Sequence, residues 1–261
     1  REDLQQVRSY KIRGAYNKIA SLTDTEIENG IVCASAGNHA QGVALSCKLL
    51  KIKGTIFMPS PTPNQKIEQV KMFGEDYIDV ILVGDSFDDA YHAAMKQCEE
   101  LSKTFIHPFN DEKVIEGQAT VGLEIIDQAK EHPIHYVFVP IGGGGLSAGL
   151  SSVFKELSPQ TKIIGVEPKG APSMSTSIKN NRNTELNHIE NFVDDEDQYN
   201  EAISSYPYRR EAFQLGESSR PLHIPALDGK TWVRSQQELL IANTLISKGI
   251  KFEYEKPYPN V

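Results

Sequence analysis

From residue 14 to residue 167 short apolar runs alternate with longer amphipathic stretches, and this alternation restricts the fold more than any other feature of the chain. Strands are expected at 31–34, 54–58, 78–83, 135–141 and 162–167. Helices are expected at 14–22, 38–50, 64–73, 86–101, 113–130 and 146–157. Within 38–50, Val43, Ala44, Cys47 and Leu50 are spaced to form one apolar face. Pro59, Pro61 and Pro63 stop the strand before them, Gly74 ends a helix, and Ser86 is suited to cap the next. The near-continuous apolar character of 78–83 suits a sheet covered on both faces. Strands that alternate with helices of this length imply βαβ crossovers, so the expected class is α/β with a doubly wound parallel sheet.

The texture changes after Val193. Asp194-Asp195-Glu196-Asp197 is an acidic run, and the stretches around Tyr206-Pro207-Tyr208 and Arg220-Pro221-Leu222 follow no helix or strand period. One helix is expected at 235–248, capped by Ser235 and ended by Gly249, with a strand at 251–254. No internal repeat is present. The net charge of −8 argues against non-specific binding to nucleic acid or to a membrane surface. No apolar run approaches the length of a membrane span and no signal-peptide pattern opens the chain. Cys33, Cys47 and Cys98 form no Cys-x-x-Cys pair, which fits reduced, buried thiols in a cytoplasmic protein. The start at Arg1-Glu2-Asp3-Leu4, without Met, is expected to lie inside a longer reading frame.

Three motifs carry chemistry. Lys11, in Ser9-Tyr10-Lys11-Ile12-Arg13-Gly14-Ala15, stands among small and apolar residues ahead of a helix, where a lysine amine can be depressed towards neutrality. Ser35-Ala36-Gly37-Asn38-His39-Ala40-Gln41-Gly42 lies at a strand-to-helix turn, where unpaired N–H groups face outward and a carboxylate is a natural guest. His39 has no partner at metal-ligand spacing, so no metal is expected. Gly142-Gly143-Gly144-Gly145-Leu146 follows another strand, and four successive glycines there can wrap backbone amides around a phosphate. The last motif also satisfies a dinucleotide fingerprint, Gly143-x-Gly145-x-x-Ala148, with Glu167 where a ribose-binding acid would sit. That reading leaves Lys11 and the Ser35–Gly42 turn without a role.

Together with Arg1-Glu2-Asp3-Leu4-Gln5 and Glu116-Gly117-Gln118-Ala119-Thr120, these segments resemble the threonine/serine dehydratase family of pyridoxal-phosphate (PLP) enzymes, over about residues 1–193. The resemblance implies a tryptophan synthase β-like fold. Residues 1–108 would hold the lysine segment and a smaller α/β domain, 109–193 part of a larger PLP-binding domain, and 194–261 a segment of different origin. It also implies that Lys11 carries the cofactor and removes the substrate α-proton, that Tyr10 packs on the cofactor ring, and that Asn38 meets its phenolic oxygen. Gly142, Gly143, Gly144, Gly145 and Leu146 would hold the phosphate, and Ser35, Ala36, Gly37, Asn38 and His39 the substrate carboxylate. PLP would supply the electron sink for β-elimination from L-threonine or L-serine, giving 2-oxobutanoate or pyruvate and ammonia.

The sequence departs from the family in two places. A strand and a Pro-Leu segment normally precede Arg1-Glu2-Asp3-Leu4, and a Ser-Gly-Gly-Asn-type segment, whose serine meets the pyridine nitrogen, has no counterpart after Val193. The exposed sheet edges and helix faces that follow imply completion by another chain, so a homo-oligomer is expected. Residues from about 199 onward resemble the opening of a nuclease-like module of superfamily I DNA helicases, with Glu238 as its helix acid. Residues 194–261 hold 8 Lys/Arg against 11 Asp/Glu, which is no footprint for DNA. A non-catalytic or chimeric chain is the corresponding alternative.

Overall fold

All four side chains of β1 (Ile31–Ala34) are buried, which a strand achieves only with a layer of helix on each face of its sheet. The computed structural model describes residues 1–129 and 132–184, together with the strand residues 224–225 and 232–233. Around β1 run β2 (Gly54–Met58), β3 (Ile78–Leu82) and β4 (Thr104–Phe105), all parallel, in the order β3-β2-β1-β4. Ile31 and Cys33 point to one face, where α1 (Lys11–Ala20), α3 (Asn38–Leu50) and α4 (Asn64–Gly74) supply Ala15, Ile19, Val43, Ala44, Cys47, Ile67 and Val70. Val32 and Ala34 point to the other, against Ala90 and Ala94 of α5 (Phe87–Leu101). The sheet is therefore doubly wound, as its alternating pattern requires.

The remaining elements are α2 (Asp24–Asn29), α6 (Glu112–Ala129), β5 (Tyr136–Pro140), α7 (Gly145–Leu157), β6 (Lys162–Val166) and α8 (Ser173–Asn180). β5 and β6 form a second parallel pair, and Val139, Leu150 and Phe154 close a core beneath Val121, Ile125 and Ile126 of α6. By contacts the chain separates into Arg1–His188 and Ile189–Val261. The described part of the second unit is an antiparallel pair, β7 (Ile224–Pro225) with β8 (Trp232–Val233). The helix expected at 235–248, the strand at 251–254 and Glu238 lie outside the described residues.

Several elements differ from the sequence expectation. α1 runs from Lys11 to Ala20 rather than from 14 to 22, and Gly14 lies inside it, where packing sets its place. A Cβ on Gly14 would strike the Gln118 side chain and stand 2.7 Å from the Val114 carbonyl. α2, β4 and α8 are too short to show a period. α2 is specified instead by a capping box, in which Thr23 accepts from the Glu26 N–H while Glu26 accepts from the Thr23 N–H.

Arg13 ties α1 to its surroundings. Its guanidinium donates to Glu2 at 2.7 and 2.8 Å, to Glu124 at 2.7 and 2.9 Å and to the Thr120 hydroxyl at 3.0 Å. Those hydrogen bonds to Glu2 and Glu124 raise an already high pKa further, so the group stays charged at every accessible pH. Glu124 is half-exposed, which weakens its share. Arg13→Ala is expected to cost about 1.5 kcal/mol of stability, read as a lowered urea midpoint. An unchanged midpoint would show the cluster to be ornamental to α1.

Candidate active site

The strand order reverses at β1, with β2 and β3 to one side and β4 to the other. The carboxyl ends of β1 and β4, on either side of this reversal, are the usual ligand position in a doubly wound sheet. The Ser35–His39 turn follows β1, and Ile106 to Asn110 follow β4.

Lys11, the first residue of α1, projects its amine onto the Pro108 carbonyl at 2.6 Å. The side chain is half-buried, and burial lowers the amine below the usual lysine range. The Tyr10 ring lies 5.6 Å from the same nitrogen, and burial raises its phenol so that it remains neutral. Behind Lys11 the chain has no freedom. A Cβ on Gly42 of α3 would stand 3.2 Å from the Lys11 carbonyl carbon and oxygen, so α1 and α3 touch peptide to backbone.

At the end of β1, Ser35 Oγ accepts from the Gly37 N–H at 3.2 Å and shapes the turn. Gly37 precedes α3 without a side-chain cap, and the space its Cβ would fill is open to 4 Å. The first N–H groups of α3 therefore face an open volume, suited to an anion. Ala36 is half-buried, while Asn38 is exposed. His39 is buried beneath the turn and donates through Nε2 to the Ile106 carbonyl at 2.8 Å. Its Nδ1 has no partner, and burial lowers its pKa to about 4, with the Lys11 charge adding to that effect.

The glycine loop is the third part. Gly144 takes φ +86°, a left-handed conformation that side chains rarely adopt, and α7 starts beyond it without a side-chain cap. Gly142 faces open space to 4 Å. Gly143 lies under the Phe109 ring, and a Cβ on Gly145 would stand 2.8 Å from the Phe109 carbonyl. The Leu146 side chain joins the core beside Val139 and Leu150, leaving its backbone to face the loop.

Lys11 and the glycine loop thus meet one segment, Pro108-Phe109, with Tyr10 beside the amine, while His39 holds Ile106 at the root of that segment. The sequence motifs do not contain it. A Pro and an Asn closing a short strand at His107-Pro108-Phe109-Asn110 were the available signal. These residues fit PLP on two counts: a half-buried amine of lowered pKa, and two uncapped helix starts with open volume at Gly37 and Gly142 for anionic groups. The dinucleotide reading is not favoured. Glu167 spends Oε1 on the Met174 N–H at 2.6 Å and Oε2 on the Ser175 N–H at 2.9 Å, capping α8. Burial works against its charge, but those bonds keep its pKa below the usual range. Among the described residues no group of three or more His, Cys, Asp or Glu could hold a metal, and no helix is long and apolar enough to cross a membrane.

Residues 1–215 match the family described as "Pyridoxal-phosphate dependent enzyme". The chain is 54% identical over 194 residues to the biosynthetic L-threonine dehydratase IlvA of Halalkalibacterium halodurans, covering 74% of this chain and 46% of that protein. Among solved structures it resembles the processed form of threonine deaminase isoform 2 from Solanum lycopersicum, at TM-score 0.70 and 47% identity, over 74% of this chain and 52% of the other. Maize serine racemase follows, at TM-score 0.69 and 36% identity, over 74% and 57%. The chain spans about half the length of the curated relatives it matches.

Proposed function

Because this chain belongs to the family of pyridoxal-phosphate-dependent enzymes, we propose that it carries PLP on Lys11 and serves the β-elimination of water from L-threonine or L-serine. The products are 2-oxobutanoate or pyruvate, with ammonia. The observation that carries this reading is the Lys11 amine, half-buried and lowered in pKa, docked on the Pro108 carbonyl beside the tetraglycine loop.

PLP, when bound, supplies the electron sink that makes the substrate α-proton acidic. The residues of the chain position and move protons around it. Lys11 presents a neutral amine more readily than an exposed lysine, and in that form it takes the α-proton. N–H groups at the start of α7, with those of Gly142 and Gly143, hold the phosphate. The Ser35–His39 turn and the start of α3 would hold the substrate carboxylate, and Asn38 would serve the cofactor's phenolic oxygen. Tyr10 provides an uncharged wall beside the amine.

A homo-oligomer in the cytoplasm accords with this reading, through the exposed sheet edges and the biosynthetic relatives. The test is production of 2-oxo acid from L-threonine and from L-serine by the purified chain supplied with PLP. Formation of 2-oxobutanoate from threonine is expected. A folded chain that binds PLP and yields neither acid would move the assignment to a non-catalytic member of the family.

A further inference from the structure

Three parts of the site meet at a turn that belongs to none of the sequence motifs. His107 Nδ1 accepts the Asn110 N–H at 2.8 Å and the Phe109 N–H at 3.2 Å. Enclosed by these bonds is Pro108, whose carbonyl receives the Lys11 amine at 2.6 Å. The next residue, Phe109, lays its ring on Gly143 and its carbonyl near Gly145. The turn therefore touches the amine with one residue and the phosphate loop with the next.

We propose that His107 is a positioning residue of the site: by accepting both N–H groups at Nδ1, it fixes the spacing between the Lys11 amine and the tetraglycine loop. The inference rests on the PLP reading, since a single ligand must then reach both. His107 need not touch that ligand, and its effect passes through the backbone of Pro108 and Phe109.

The chemistry of the imidazole gives the proposal an edge that packing alone would lack. An acceptor at Nδ1 requires the neutral ring with its proton on Nε2. Protonation would place an N–H at Nδ1 against two N–H donors, and both bonds would be lost together. The surroundings favour the neutral ring. Burial lowers the His107 pKa, the Lys11 charge on α1 lowers it further, and Asp111 ahead of α6 opposes them. Asp111 is itself paired with Lys18 at 2.9 Å, which blunts its pull. His39, in the first turn of α3, is neutral near pH 7, and the Phe105 and Phe109 rings meet the imidazole edge-on at 6.0 and 4.7 Å.

The experiment compares the parent chain with His107→Phe, which keeps a ring and loses the acceptor, and His107→Asn, which keeps an acceptor that cannot be protonated. PLP affinity is titrated across pH, and the His107 nitrogens with the Phe109 and Asn110 amides are followed by NMR in the cofactor-free parent. His107→Phe is expected to weaken PLP binding by about tenfold or more, as loss of two local hydrogen bonds implies. His107→Asn should restore affinity to within about threefold and remove the acid-side fall that tracks His107 protonation in the parent. The NMR spectra should show Nδ1 unprotonated, with both amides shifting as His107 titrates. Phe-variant affinity equal to the parent's, or a protonated Nδ1 at neutral pH, would overturn the role of His107 alone. A parent that binds no PLP would remove the PLP reading, and this inference with it.

Discussion

Replacing Lys11 with alanine should abolish the visible absorption of attached cofactor and lower turnover on the order of 10³-fold or more. Two losses combine in that figure. The amine is the proposed attachment point, and the same nitrogen is the proposed base. Its half-buried position on the Pro108 carbonyl and its lowered pKa separate it from the exposed lysines of the chain. The pH dependence of attachment follows in sign. A lysine whose pKa lies below the ordinary range reaches its neutral, reactive form at lower pH, so attachment should rise with pH ahead of a solvated lysine. Absorbance spectra of parent and Lys11→Ala, each mixed with PLP, decide the matter. A band retained by a folded Lys11→Ala would place the cofactor elsewhere.

Gly117→Ala is expected to cost about 2 kcal/mol of stability and about 10²-fold in activity, because it separates two helix backbones. Alanine gains about 1 kcal/mol of intrinsic helix preference over glycine, which would make the substitution stabilising on an open face. This face is not open. The added Cβ would collide with the Arg13 carbonyl and stand 2.6 Å from the Gly14 Cα, and neither can swing aside as a side chain would. Overpacking against fixed backbone costs up to about 3 kcal/mol and exceeds the propensity gain. Relief requires α1 to move away from α6, and Lys11 moves with it. Thermal denaturation together with PLP titration reports both effects. A variant with raised melting temperature and parental affinity would show that the α1–α6 contact is compliant.

The parallel sheet and most of its helices were legible in the sequence, since their periods are local. The strand 31–34 and the helix 38–50 coincide with β1 and α3, residue for residue. α2, β4 and α8 escaped because a segment of two to eight residues is too short for a period to stand out. Of the candidate site, the lysine and the two strand-end loops could be picked out by residue type and by their place ahead of a helix. The His107–Asn110 turn could not. Its meaning lies in contacts to Lys11 and Gly143, which stand far from it along the chain. Glu167 is the converse case: its position suggested a ribose ligand, and only the backbone of α8 reveals what the carboxylate binds.

The peptide-level contacts of α1 have a consequence for how such a chain can drift. Lys11 is located by Gly42 behind it and by the meeting of Gly14 with Gly117 and the Val114 carbonyl, so its position derives chiefly from the backbones of three helices. Information about the position of the amine is concentrated in a few glycines. Tyr16 and its neighbours on the outer face of α1 carry little of it, and their identities can wander through substitution without moving the lysine.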